Sequence, residues 1–265
     1  MQPKIVFLGT AGDNIVMGKQ IRSSGGFIVI VDDNQFHIDP GPGALARAAD
    51  YNINPRNNVG VVVTNSSLIR CNDANAVIDG MTLSGMDVKG VLVGNEESVN
   101  RCIKEEYKTM VEKSIVLRAG QRVGINEVEI IATHTKSKDS TAIGLKFLTT
   151  KFVLGYSSDT GFEKRLIEEF KGVDIMVFNV PNTTEKDEYS LNVDDVIRLV
   201  NDIKPKLTIV TGFGVKVINE NPIEVAREIQ KKTKIETIAA KDGLVINPVS
   251  YSVTLRQRTL NIFKQ

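Results

Sequence analysis

The sequence predicts an α/β (α+β) fold in which two mixed β-sheets pack together and helices cover their outer faces. Up to about residue 151 the chain consists mainly of short apolar runs separated by turn residues, a pattern typical of strands. From residue 152 onward, strand-like runs alternate with segments of helical periodicity, a pattern typical of βα units. Stacked sheets with helices outside fit this mixture. We expect one domain over residues 1–265, since no long linker, repeat or low-complexity tract divides the chain.

In the first half, turn residues at Asp32-Asp33-Asn34 predict a hairpin between strands Phe27–Val31 and Gln35–Ile38. The valine-rich run Gly60–Val63 predicts a buried strand. The other elements expected in this half are strands at Lys4–Leu8 and Val88–Val93, helices at Ala44–Ala49, Asp73–Met81 and Glu97–Val111, and antiparallel strands between Ser114 and Lys151.

The second half predicts three strand–helix pairs. The last helix begins with Pro222, which is favoured in a first helical turn because its missing N–H is not needed there. The pairs are Phe152–Tyr156 with Glu163–Phe170, Ile175–Val180 with Val193–Ile203, and Leu207–Thr211 with Pro222–Lys232.

Composition narrows the classes of protein and of partner. The 33 basic and 32 acidic residues give a net charge of +1, so the overall field attracts neither nucleic acid nor basic partners strongly. Cys71 and Cys102 allow at most one disulfide, which favours a reducing compartment. The N-terminus enters a predicted strand without a signal-peptide pattern, and no apolar run is long enough to span a bilayer. We therefore expect a cytoplasmic protein with no membrane partner.

Six segments, in order along nearly the whole chain, resemble the metallo-β-lactamase superfamily near its archaeal and ribonuclease-Z-like branches. They are KIVFLGTAGD at 4–13, FHIDPGPGAL at 36–45, GVVVTNSSLIRCNDA at 60–74, IATHTKSKDSTAIGLKF at 131–147, LGYSSDTGF at 154–162 and KPKLTIVTGFG at 204–214. The resemblance implies an αββα sandwich with its site on loops at one edge of the two sheets.

The resemblance also implies a dinuclear metal centre whose ligands are mostly missing here. The family pattern Thr-His-X-His-X-Asp-His falls on the segment that runs from Thr64 to Arg70. Of the ligands in the family pattern, only the bridging aspartate is retained, as Asp159. The positions that correspond to ligands are Asn65, Ser67, Ile69, Arg70, Ser137, Asp159 and Gly212.

Ligand chemistry adds to what the resemblance implies. A tight transition-metal site needs several converging, deprotonated ligands, and the two histidines of the chain, His37 and His134, lie away from these positions. Arg70 adds a permanent cation where a divalent cation would bind. We therefore expect neither a bound metal nor another cofactor, and no catalytic residue.

The retained Asp159 has two interpretations. It caps the helix that follows, a common use of aspartate, or it makes a new contact at the altered site. If the fold is right, Arg70 lies beside it. The hypothesis is then that the guanidinium replaces the metal as the counter-charge of the carboxylate.

The favoured function is therefore a non-catalytic protein that assembles with a second copy or with an active relative, or that binds a ligand. Arg70, Lys136, Lys138 and Lys216 suggest a small anionic ligand at the altered site. Nucleic acid is not favoured, since tryptophan is absent and no basic strip is interleaved with aromatic residues. The alternative is a hydrolase that uses one unconventional metal ion or none.

Overall fold

The computed structural model describes residues 2–251. Residue 1 and residues 252–265, which the single-domain prediction includes, lie outside this described part.

The first sheet has the strand order β14-β1-β2-β3-β4-β5-β6. Its neighbours pair antiparallel from β14 to β3 and parallel from β3 to β6. The strands are β1 (Lys4–Phe7), β2 (Phe27–Val31), β3 (Asn34–Ile38), β4 (Asn58–Val63), β5 (Val91–Gly94), β6 (Lys113–Val116) and β14 (Val245–Ile246).

The second sheet has the order β13-β12-β11-β10-β9-β8-β7. Pairing is parallel from β13 to β10 and antiparallel from β10 to β7. The strands are β7 (Arg122–Ile125), β8 (Val128–Thr133), β9 (Gly144–Leu148), β10 (Val153–Tyr156), β11 (Ile175–Asn179), β12 (Leu207–Thr211) and β13 (Glu236–Ala239).

Helices lie outside both sheets. They are α1 (Asn14–Gly18), α2 (Ala44–Asp50), α3 (Leu68–Cys71), α4 (Ala74–Thr82), α5 (Glu105–Lys108), α6 (Arg165–Glu169), α7 (Val193–Ile203), α8 (Val215–Asn219) and α9 (Pro222–Thr233). Short 3-10 turns occupy Pro55–Asn57 and Pro248–Tyr251, and a π-helical turn occupies Ser98–Cys102.

The main core lies between the two sheets. Phe36 of β3 meets Phe147 of β9 edge to face, and Phe27 of β2 meets Tyr156 of β10 in the same way. Separate apolar clusters join the outer faces of the sheets to the helices. The layers are therefore helix, sheet, sheet and helix, as predicted.

The predicted hairpin is confirmed, with Asp32 and Asp33 both at positive φ in a two-residue turn. The helix predicted at Glu97–Val111 is wrong in extent. It is divided into the π-helical turn and α5, because the buried Ile103 between them is extended (φ −98°, ψ 119°).

Two further predictions need correction. The strand expected at Val88–Val93 runs from Val91 to Gly94, and Val88 is exposed in a loop. Between residues 114 and 151, where the sequence predicts several antiparallel strands, β7, β8 and β9 pair antiparallel, but β6 pairs in parallel with β5 in the first sheet. The sequence patterns also missed the short elements α1, α3, α8, β13 and β14.

Within residues 2–251, no helix is both long enough and apolar enough to cross a membrane.

Candidate functional site

The candidate site lies where strands of both sheets end. Thr64 follows β4, Ser157 follows β10, Asn179 ends β11, and Gly212 follows β12. Because β10, β11 and β12 are parallel, their carboxyl ends meet at one edge of the second sheet. These loops surround a pocket of about 640 Å³.

Arg70 forms a two-pronged ion pair with Asp159, which lines the pocket. Arg70 Nη2 donates to Asp159 Oδ1 at 2.6 Å, and Arg70 Nε donates to Asp159 Oδ2 at 2.9 Å. The Arg70 side chain is 8% exposed and that of Asp159 is 27% exposed. Asp159 lies well before α6, whose N-cap is Lys164, so the capping interpretation is wrong and the contact with Arg70 is confirmed.

A buried chain of hydrogen bonds connects this ion pair to Asn179, Tyr156 and Asp39. Asn179 Nδ2 donates to Asp159 Oδ1 at 2.9 Å and to Tyr156 Oη at 3.0 Å. Tyr156 Oη donates to Asp39 Oδ2 at 2.8 Å. Asp39 also accepts from the backbone N–H and the hydroxyl of Thr64. The ion pair is thus held by residues from both sheets.

Burial and charge shift the pKa values of this network. Burial raises the pKa of Asp39 to about 6, although the Arg70 charge and the Thr64 and Tyr156 hydrogen bonds act in the opposite direction. Burial alone would lower the pKa of Arg70, but the charge of Asp159 and its hydrogen bonds outweigh that effect and raise it. Arg70 is therefore a fixed cation.

Two of the positions that correspond to ligands in the family pattern carry no donor atom. Ile69 is 6% exposed and packs in an apolar cluster with Ala11 and Val16. Gly212 has φ +62°, and a Cβ added to it would lie 2.7 Å from Asn179 Oδ1. A histidine at position 212 would therefore require the backbone or Asn179 to move.

The residues at three more of these positions form hydrogen bonds mainly with each other. Asn65 Nδ2 donates to Ser137 Oγ at 3.2 Å, and Asn65 Oδ1 accepts from the Ser67 backbone N–H at 2.8 Å. Ser67 Oγ is buried and has no hydrogen-bond partner. All three residues line the pocket, as does Asp159.

These residues do not fit the dinuclear metal centre that the fold family implies. Both oxygens of Asp159 accept from Arg70, and the other positions offer amide, hydroxyl, alkyl and hydrogen in place of imidazole and carboxylate. Among residues 2–251, no three His, Cys, Asp or Glu side chains are grouped closely enough to hold a metal ion.

The pocket walls are polar and, on balance, acidic. Five carboxylates and two cations line them: Asp13, Glu97, Asp139, Asp159 and Asp187, with Arg101 and Lys138. Burial raises the pKa of Asp139, but hydrogen bonds from Ser66 and Thr141 outweigh it, so this pKa lies below its ordinary value. Asp139 is accordingly ionised at neutral pH.

Of the four cations predicted to bind an anion, Lys138 lines the pocket, but the other three are paired with carboxylates. Arg70 pairs with Asp159, and Lys136 pairs with Glu188 at 3.2 Å. Lys216 pairs with Glu185. Neither Lys136 nor Lys216 lines the pocket.

Both histidines contact groups that do not line the pocket. His37 is 2% exposed, its Nε2 lies 2.8 Å from Gly25 O, and burial lowers its pKa to about 4. His134 Nδ1 lies 2.5 Å from Glu169 Oε1. Neither histidine lines the pocket.

Sequence reasoning missed four residues that build the site. Asn179 and Tyr156 appeared as ordinary strand residues, and Asp39 as part of a Pro-Gly turn. Asp39, Asp139 and Tyr156 lie inside three of the family-like segments, which marked the region but not these side chains. Asn179 carried a different signal, as a polar residue that ends an otherwise apolar strand.

Several solved structures have the same architecture as this chain. The chain superposes on the metallo-β-lactamase fold protein YhfI from Bacillus subtilis with a TM-score of 0.78 and 14% identity, covering 93% of this chain and 99% of that one. A diphosphatase of the PhnP family gives 0.71 and 17%, covering 93% and 97%. Igni18, a metallo hydrolase from Ignicoccus hospitalis, gives 0.69 and 12%, covering 93% and 98%. The chain therefore has the metallo-β-lactamase fold.

No family model matches the chain. The uncharacterized protein MJ1374 from Methanocaldococcus jannaschii is 32% identical over 255 residues, which cover 93% of this chain and 95% of that protein. The chain belongs to the same family as MJ1374 within the metallo-β-lactamase fold.

Proposed function

We propose that this protein is a non-catalytic member of the metallo-β-lactamase fold that uses its altered site to bind a ligand. The observation that carries the proposal is the ion pair between Arg70 and Asp159, because it satisfies the retained carboxylate with a cation of the protein's own. A hydrolase of this fold needs a metal-activated water, and the donors at the former ligand positions do not support one.

The remaining pocket supports ligand binding. Its walls carry hydroxyls, amides and more carboxylates than cations, so they match a small ligand that donates hydrogen bonds better than a phosphate. The proposed ligand is therefore a hydrogen-bond donor and not the small anion that the sequence suggested.

The test of catalysis combines metal content with activity. Purified protein is analysed by inductively coupled plasma mass spectrometry before and after incubation with Zn²⁺, Mn²⁺ or Fe²⁺, and assayed with bis(p-nitrophenyl) phosphate, a thioester and a β-lactam. The proposal predicts well under one metal ion per chain and no turnover. Stoichiometric metal together with metal-dependent turnover would establish the hydrolase alternative.

The test of ligand class compares two probes by thermal unfolding. A ligand that binds only the folded state raises Tm, by an amount set by its concentration relative to Kd. A small diamine is expected to raise Tm more than inorganic phosphate at equal concentration and ionic strength. Asp139→Asn should reduce the diamine effect, whereas Glu236→Gln, outside the pocket, should leave it unchanged. A larger shift with phosphate would contradict the proposed ligand class.

A further inference from the structure

The two cysteines of the chain lie side by side near the pocket. Cys71 ends α3 and Cys102 ends the π-helical turn Ser98–Cys102. Both are free thiols, yet their sulfurs are 2.6 Å apart although 31 positions separate them in sequence. The sequence showed only that these two could pair; the fold brings them together.

The two sulfurs lie closer together than non-bonded atoms in contact do. Non-bonded carbon atoms in contact lie about 3.5–4.0 Å apart, and sulfur is larger than carbon. A disulfide bond is about 2.05 Å long. The fold therefore places the two sulfurs within reach of a bond.

The environment of the two sulfurs is unequal. Cys71 is 4% exposed, whereas Cys102 is partly exposed. The hydrogen bond donated by Cys71 Sγ lowers the pKa of Cys102, and Arg101 acts in the same direction. The Cys71 pKa is raised by the same hydrogen bond and by burial. Cys102, the more exposed of the two, is therefore the sulfur that a reagent from solution meets first.

We propose that Cys71 and Cys102 form a reversible thiol–disulfide pair that covalently joins α3 to the segment 98–102 of the pocket wall. The oxidant is a low-molecular-weight disulfide of the glutathione class. This inference does not depend on what the pocket binds.

The reaction proceeds by two thiol–disulfide exchanges. The Cys102 thiolate attacks one sulfur of the small disulfide, forming a mixed disulfide and releasing one small thiolate. Cys71 then loses its proton and attacks the Cys102 sulfur, forming the Cys71–Cys102 bond and releasing the second small thiolate. The two protons lost by the cysteines end on the two released thiols, and the protein loses two electrons to the small disulfide.

The bond would act on the pocket through Ser66. Both sulfurs lie within hydrogen-bonding distance of Ser66 O, at 3.4 Å and 3.5 Å. Oxidation removes the S–H groups that can donate to that carbonyl. Ser66 lines the pocket and its N–H donates to Asp139. The redox state of the pair therefore changes the hydrogen bonding of a wall residue directly.

The test equilibrates the full-length protein in buffers of graded reduced-to-oxidised glutathione ratio, traps free thiols with N-ethylmaleimide and measures the intact mass. The expected species at oxidising ratios is a monomer that is lighter by two hydrogens, takes up no maleimide and is reversed by dithiothreitol. Its Tm should exceed that of the reduced form by about 5–10 °C, because the bond closes a 31-residue loop. Alkylation of both sulfurs at every ratio, a persistent glutathione adduct or disulfide-linked dimers would overturn the proposal.

Single variants test which sulfur reacts first. Cys71→Ser should accumulate one glutathione on Cys102, whereas Cys102→Ser should react at least tenfold more slowly because Cys71 is buried. Equal rates in the two variants would contradict the assignment of Cys102 as the entry sulfur. Neither variant should show the oxidation-dependent rise in Tm, and its persistence in either would overturn the proposed bond.

Discussion

Arg70 and Asp159 are opposite charges in a place that water reaches poorly. Taking charges out of water costs several kcal/mol per ion, and the pair is stable because each charge satisfies the other through two hydrogen bonds. The sequence predicted this contact, because the family places both positions around the same metal ion. It could not predict the supporting Asn179, Tyr156 and Asp39, since their contribution depends on how the two sheets meet.

The first prediction concerns removal of one charge. Arg70→Met should destabilise the protein by about 3 kcal/mol, because Asp159 is left partly buried without its counter-charge. The double variant Arg70→Met/Asp159→Leu should recover most of that loss, since no unpaired charge remains. Urea denaturation of the wild type, both single variants and the double variant measures the coupling. Additive losses would show that the pair is not the counter-charge arrangement described above.

The second prediction concerns Gly212. Gly212→Ala should cost about 3 kcal/mol, because its φ is +62° and the new Cβ meets Asn179. Gly172→Ala is the matched control: its φ is +79° and no atom lies within 4 Å of the added Cβ, so only backbone strain of about 1 kcal/mol is expected. Equal losses of unfolding free energy in the two variants would show that Asn179 does not occlude the former ligand position.

At the scale of elements, length separates what the sequence predicted from what it did not. Long βα units such as β11 with α7 were predicted because their periodicity extends over many residues. The one-turn helix α3, which carries Arg70, is too short to show a period. The helix expected at Glu97–Val111 failed because burying Ile103 requires an extended residue, a tertiary effect that local periodicity does not contain.

The third prediction concerns pH and strand β3. Burial raises the pKa of Asp39 from 3.8 to about 6, so the folded state holds an extra proton between these values and this term loses about 3 kcal/mol of stability as pH rises from 4 to 6. Burial lowers the pKa of His37 from 6.5 to about 4, so its term loses a similar amount as pH falls from 6.5 to 4. The two terms oppose each other.

Single substitutions should reveal each of these opposing terms. Asp39→Asn should make stability fall more steeply with decreasing pH between 6.5 and 4, and His37→Gln should make it increase over the same range, relative to the wild type. Urea denaturation at a series of pH values measures the slopes. Parallel profiles in all three proteins would contradict the assigned pKa shifts.

At the scale of the whole molecule, apolar cores hold together the two seven-stranded sheets and their helices. Their cores are apolar, and the altered site lies on loops at one edge. The sequence predicted this architecture because apolar periodicity and six family-like segments extend across the chain. Assembly with a second copy or an active relative stays a prediction.

The fourth prediction is that no metal ion stabilises the folded protein. Treatment with EDTA, or addition of equimolar Zn²⁺, should change Tm by less than about 1 °C, since a ligand that does not bind the folded state does not stabilise it. Differential scanning calorimetry measures the shift. A fall of many degrees with EDTA that Zn²⁺ restores would indicate a structural metal.

The most direct test of the central claim is a crystal structure of protein soaked in Zn²⁺, with anomalous diffraction recorded on both sides of the zinc edge. The account predicts Arg70 and Asp159 in direct contact through two hydrogen bonds and no anomalous peak among Asn65, Ser137 and Asp159. Two well-occupied peaks there, with Arg70 displaced from Asp159, would contradict it.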